Sequence, residues 1–417
     1  MENIEWGKLP FGYFKTDYNV RCYYRNGSWG ELEVSSSEHI NIHMAATCLH
    51  YGQEAFEGMK AFRDKEGKIR LFRWEENAAR MQTSARGIMM AEVPIELFRD
   101  AVLKVVKLNA RFVPPHGSGA SLYIRPLLIG TGPKVGVMPA DEYLFMVFVG
   151  PVGPYFKEGF NPVKIQIARD YDRAAPLGTG HIKVGGNYAA SLRAGQRAKK
   201  DGFADVLYLD AKEKLYIDEA GPANFFGIKG NTYITPASAS VLPSITNKSL
   251  MKLAEDMGMV VERRHIYVDE LKDFDEVGAC GTAAVISPIR EINDRESGES
   301  FYYCPDGKAG PISTKLYRKL QGIQYGDEPG NCREYNTGMN RILMVGLPFW
   351  IKERNEKAPE NNTGLFFMLY RKGSMAAISA CIFLASSLAA SSKSSPTEAY
   401  NMLREALTSN PQSLFMP

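Results

Sequence analysis

From residue 162 onward the chain is a succession of short apolar runs: VKIQIARDY, ADVLYLD, KLYIDEAGPANFFGIK, NTYITP, HIYVDEL and VGACGTAAVISPI. Turn residues bound them, and they are rich in β-branched and aromatic residues, so they read as strands. Only NYAASLRAGQRAKKDG, TNKSLMKLAEDMG and STKLYRKLQGIQYG carry helical spacing in this half. A doubly wound parallel sheet needs a helix for nearly every crossover, and three are too few. The expected result is a barrel-like or sandwich-like α+β domain.

The preceding part mixes the two periods. KIRLFRWEENAARMQTSARGIMM turns from alternation into a helix expected to begin near Asn77, and PIELFRDAVLKVVKLNARF opens a second helix on its proline. ASLYIRPLLIG and EYLFMVFVGPVGPY are strand-like, with TGPKVGVMPAD as the loop between them. A chain of 417 residues is too long for one ordinary domain. We therefore expect a small α+β domain over residues 1–155 and a larger β-rich one over 156–329. Residues 330–417 change character, with Asn, Ser and Ala clusters. Within them, 373–392 carry no charge over a bilayer-spanning length, but their serines and small residues make a poor span.

A net charge of +3 offers no field to gather nucleic acid. The six cysteines are scattered without metal or disulfide spacing. His39, His43, Cys48 and His50 lie close together but match no zinc signature, so no metal is expected. GTGPKVG lacks the spacing of a dinucleotide site. The N-terminal stretch has no secretory pattern, and the cytoplasm is the expected compartment.

The chemistry centres on GTGHIKVGGNYAAS, where Lys183 stands among glycines with no acid nearby in sequence. Such a lysine can be a solvated charge or a nucleophile that forms a Schiff base, as with pyridoxal phosphate. That cofactor also needs a carboxylate for its ring nitrogen, a donor for its phenolic oxygen and a cradle for its phosphate. Tyr188 opens a helical run and could be that donor, or a packed core tyrosine. Asp218 and Glu219 precede the Gly221-Pro222 turn, as a pocket carboxylate or a turn acid. In VLPSITNKSL, Thr246 is placed to cap a helix whose first N–H groups, at Ile245 and Thr246, could hold a phosphate or only their own helix. GACGTAAVISP allows close approach by a ligand, or is a tight strand corner.

In this order, HYGQEAFEGMKAFR, NAARMQTSA, YIRP, GTGHIKVGGNYAAS, DEAGPANFF, LPSIT and GTAAVISPI resemble the branched-chain amino acid aminotransferases, fold-type IV pyridoxal-phosphate enzymes. The resemblance covers residues 1 to about 329 and implies a two-domain α+β fold whose larger, C-terminal domain is a pseudo-barrel. It makes Lys183 the Schiff-base lysine and proton carrier, Glu219 the partner of the ring nitrogen and Tyr188 that of the phenolic oxygen. Arg80, Ile245, Thr246 and Thr282 would hold the phosphate, with Asn224 and Leu242 completing the cofactor site. Phe56, Tyr123 and Arg125 would line the substrate pocket, Arg125 taking the γ-carboxylate of glutamate. The N–H groups of Thr282 and Ala283 would receive the α-carboxylate. Tyr51 and Val137 would come from the neighbouring subunit of a homodimer.

The implied activity is ping-pong amino transfer between L-leucine, L-isoleucine or L-valine and 2-oxoglutarate. Alternatives are a D-amino acid aminotransferase, an aminodeoxychorismate lyase, or a cofactor-binding protein inactivated by its tail. Pro222 and Ala223 stand where many relatives carry Thr and Met or Ser, and nothing beyond Gly330 matches the family.

Overall fold

The computed structural model describes residues 4–153 and 160–328, and these fold around two sheets. The tail from 330, including 373–392, lies outside the described residues. Among those described, no helix is long and apolar enough to cross a membrane, and no group of His, Cys, Asp and Glu could hold a metal ion.

The first sheet has eight strands, all antiparallel. Its centre is the pair Ser121–Gly130 and Tyr143–Val152, flanked by Asn19–Arg25 on one side and Met59–Arg63 on the other. Glu54–Phe56 also pairs with Ser121–Gly130. Helix Ile95–Leu108 buries Phe98, Ala101, Val102, Val105 and Val106, a stripe at helical spacing that faces the core. The other helix starts at Trp74, a turn before the expected Asn77. Its first turn carries Glu75 and Glu76, which suit the positive end of the helix dipole and move its start upstream.

The second sheet has nine strands and closes on itself. Six of them form a ring in the order Ile217–Ala220, Asp205–Leu209, Val163–Ala168, Val285–Asp294, Glu276–Gly281 and Ala223–Lys229, which pairs back to the first. Closure removes two exposed edges. This is the barrel-like α+β arrangement expected from the strand count. Strands Val163–Ala168 and Asp205–Leu209 are parallel neighbours, so the chain must cross over between them. Helix Gly185–Lys200 makes that crossover, and the loop leading into it carries Lys183.

Three local expectations need correction. KLYIDEAGPANFFGIK is two antiparallel strands, because Gly221 adopts a left-handed φ of 57° and reverses the chain. HIYVDEL holds the 3-10 helix Val268–Asp273, tied by a capping box between Tyr267 and Glu270. The cap of helix Ile245–Asp256 is Ser244, whose side chain accepts the Asn247 N–H; Thr246 is already inside the helix. Ser244, directly after Pro243 and two residues before Thr246, is at the position from which a side chain reaches the free N–H groups.

Candidate active site

Between the sheets lies a cavity of about 400 Å³. It gathers Phe56, Arg80, Tyr123, Arg125, Lys183, Tyr188, Asn224, Leu242, Thr282 and Ala283 of the sequence-derived residues.

Lys183 is fixed through its backbone to the first sheet. Its N–H donates to Ser84 Oγ at 2.9 Å, and its carbonyl accepts the Phe56 N–H at 3.1 Å. Its Nζ donates to Tyr188 Oη at 2.6 Å. Burial first, and the Arg80 charge after it, pull the Lys183 amine down to about 8. Burial pushes the Tyr188 phenol up to about 12. The pair is thus a lysine that readily gives up its proton beside a phenol that keeps its own.

Arg80 is held in place by the buried Glu57, to which its Nε and Nη2 each donate at 2.8 Å; Asn77 Nδ2 supports the same carboxylate at 2.8 Å. Arg80 Nη1 reaches the Pro243 carbonyl at 2.9 Å, which brings it to the start of helix Ile245–Asp256. There the N–H groups of Ile245 and Thr246 find no acceptor among the described residues. An arginine beside a helix N-terminus with free donors suits a phosphate.

Glu219 lies behind the cavity wall and is buried. Its Oε1 accepts from Asn224 Nδ2 at 2.9 Å and from the Leu242 N–H at 3.0 Å, and its Oε2 pairs with Arg173. Burial pushes its carboxyl above the usual range while Arg173 pulls it back toward the charged form. Arg173 also donates to the Gly180 carbonyl at 3.0 Å, tying the carboxylate to the loop that carries Lys183.

Tyr123 and Arg125 share a face of strand Ser121–Gly130, as alternation requires, and Arg125 Nη2 donates to Tyr123 Oη at 3.0 Å. The guanidinium sits 4.8 Å from the Phe56 ring centre. Its Nε is buried without a partner among the described residues, a donor suited to an anionic ligand. A side chain on Gly58 would collide with Tyr123 Oη, so glycine makes room for this tyrosine.

Tyr51 and Val137 do not reach the cavity. Both are exposed, Val137 at 86%, and the Tyr51 hydroxyl donates to the Val135 carbonyl on the same surface loop. His43 Nδ1 accepts the Ala45 N–H at 3.0 Å, and His50 Nε2 sits 2.8 Å from the Met44 carbonyl, so each has a local backbone partner.

Sequence reasoning missed Arg173, Glu57 and Ser84. Each acts through a contact far along the chain; Glu57 in HYGQEAFEGMKAFR and Ser84 in NAARMQTSA sat inside quoted motifs without being singled out, and Arg173 sat in none.

The cavity fits pyridoxal phosphate on its donor set: a buried lysine of lowered pKa, a caged carboxylate behind the wall, and an arginine beside free helix N–H groups. Residues 54–292 match the amino-transferase class IV family. The branched-chain-amino-acid aminotransferase of Haemophilus influenzae is 48% identical over 334 residues, covering 78% of this chain and 96% of its own. The crystal structure of the Escherichia coli branched-chain amino acid aminotransferase superposes with a TM-score of 0.65 at 27% identity, covering 77% of this chain and 99% of that one. A further branched-chain amino acid aminotransferase structure, complexed with N-(5'-phosphopyridoxyl)-L-glutamate, gives 0.61 at 25% identity, covering 75% and 97%.

Proposed function

This chain belongs to the amino-transferase class IV family and is a pyridoxal-phosphate-dependent branched-chain-amino-acid transaminase, and on that premise we propose how its residues divide the work. When bound, pyridoxal phosphate supplies an aldehyde for the amino group and a ring that stores the electron pair left when the α-carbon loses its proton.

Lys183 Nζ would take that proton from the substrate α-carbon and hold it for its return. The observation that carries this role is its buried Nζ, lowered to about 8, so that a useful fraction is a neutral base near neutral pH. Tyr188 stays protonated and holds the phenolic oxygen. Glu219, caged by Asn224, Leu242 and Arg173, is the carboxylate that would pair with the ring nitrogen. Arg80 and the N–H groups of Ile245 and Thr246 would hold the phosphate, with the Thr282 hydroxyl. The N–H groups of Thr282 and Ala283 receive the substrate α-carboxylate.

One pocket must accept both an aliphatic side chain and the γ-carboxylate of glutamate. Phe56 and Tyr123 offer apolar wall, and the unpartnered Nε of Arg125 offers a charged donor at its edge. The relative with phosphopyridoxyl-glutamate bound is in keeping with this division.

The active enzyme is a homodimer in this reading. Met44, Leu49, Val135, Val137 and Met138 are all more than half exposed and cluster around Tyr51, a set of apolar side chains that a second copy would cover. Residues 1–155 and 156–329 are its two domains, in keeping with one sheet in each. The compartment is the cytoplasm, consistent with free thiols at Cys22, Cys48, Cys280 and Cys304.

The test is amino transfer from L-leucine to 2-oxoglutarate, read as glutamate formed, beside a parallel assay with D-alanine. Turnover with L-leucine alone is expected. Turnover with D-alanine alone would favour a D-amino acid aminotransferase.

A further inference from the structure

We propose that Lys60 is a positioning residue for the turn that receives the substrate α-carboxylate, a role that rests on the transaminase reading above. Lys60 lies on strand Met59–Arg63, directly across from Tyr123 in the antiparallel register. It is buried, and its Nζ donates to the Ala283 carbonyl at 2.8 Å, across 223 positions of sequence. Among the described residues no carboxylate pairs with it. A buried ammonium is costly to keep, and burial alone already lowers this one to about 8. The transamination steps assigned to Lys183 make no use of it.

The turn it holds is strained. Gly281 pairs with Val285 at the end of a hairpin, and Val285 has a φ of 65°, in the left-handed region that β-branched residues avoid. Such backbone persists where its surroundings hold it. Ala283 and Ala284 form a wall between two spaces. On one side is the 400 Å³ cavity, and on the other a space of about 50 Å³ lined by Lys60, Ser121 and Gln321. The peptide is planar and trans, so the Ala283 carbonyl and the Ala284 N–H point in opposite directions. By drawing the carbonyl back, Lys60 turns the Ala284 N–H toward the active-site side, where it joins those of Thr282 and Ala283. The ammonium also leaves a positive charge behind the place where a carboxylate would arrive.

The test compares two ligands of the pyridoxal-phosphate-loaded protein, followed by the visible spectrum: 4-methylvalerate, which has a carboxylate, and isoamylamine, which has none. In Lys60→Met the Kd for 4-methylvalerate is expected to rise at least about tenfold, and that for isoamylamine by less than about threefold, the selectivity expected of one lost polar contact. Lys60→Arg restores 4-methylvalerate binding to within about threefold, because it still donates to the carbonyl. Should Lys60→Met fail to fold, Lys60→Gln is read by the same ratio. Equal losses for both ligands, or no change for either, overturn the positioning role while leaving the transaminase reading intact. A wild-type protein that binds neither ligand overturns both.

Discussion

The amine of Lys183 and the hydroxyl of Tyr188 are 2.6 Å apart, on the two sides of the junction between a glycine-rich loop and the helix that follows it. The lysine is pinned by its backbone to the first sheet, and the tyrosine by its helix to the barrel. Their contact therefore depends on both halves of the fold.

That contact predicts a pH dependence. An ordinary lysine loses its proton near 10.5, and burial brings Lys183 to about 8. A lowered lysine pKa means more neutral amine at a given pH, so capture of pyridoxal phosphate by the stripped protein should speed up as pH rises and level off just above 8. Rates taken from absorbance changes between pH 6 and 10 check this. A rate still climbing steeply at pH 10 would mean that an exposed lysine does the capturing.

Arg173 is expected to matter for stability as well as for chemistry. Arg173→Met leaves Glu219 buried without its counter-charge, which typically costs about 3–5 kcal/mol. The lost arginine raises the Glu219 pKa further in the folded state. A carboxyl with a raised folded pKa is tolerated while protonated, at low pH, and becomes destabilising as pH climbs above its unfolded value. The stability deficit should therefore be larger at pH 8 than at pH 5 in denaturant titrations of variant and wild type. An equal deficit at both would show that the loss is one of packing.

Arg125→Met should separate the two substrates. Removing the charged donor strips glutamate of a partner for its γ-carboxylate but leaves leucine its apolar wall. We expect kcat/KM for glutamate to fall by about 10²-fold or more, and that for leucine by less than about tenfold. Steady-state kinetics on both amino acids decide it, and equal losses would move Arg125 out of the specificity role.

Val137 lies in the exposed apolar cluster, 86% open in the single chain. Val137→Asp should place a charge where the second copy is proposed to sit. Sedimentation is expected to show monomer in place of dimer, with activity lost in proportion. A wild type that already sediments as an active monomer would contradict the shared site.

Much of the cavity was legible because its residues sit in turns whose composition has a local cause. Lys183 stood out among glycines, and Glu219 ahead of a Gly-Pro turn. What supports them was not legible. Arg173 reads as a loop charge until the fold brings it to Glu219, 46 positions away, and Lys60 reads as a strand residue until Ala283 arrives. The split of KLYIDEAGPANFFGIK turned on one φ at Gly221, and the helix cap on which of two hydroxyls, Ser244 or Thr246, reached the free N–H groups first. Periodicity reports which residues are buried, and it is silent on which buried groups meet.

The visible spectrum of the pyridoxal-phosphate-loaded protein, wild type and Lys183→Ala, before and after L-leucine and then 2-oxoglutarate, tests the central claim most directly. The wild type should hold the cofactor, change its spectrum with L-leucine and regain it with 2-oxoglutarate, while Lys183→Ala keeps the phosphate cradle but cannot complete the cycle. A wild type that takes up no cofactor, or a Lys183→Ala protein that cycles at the wild-type rate, would contradict it.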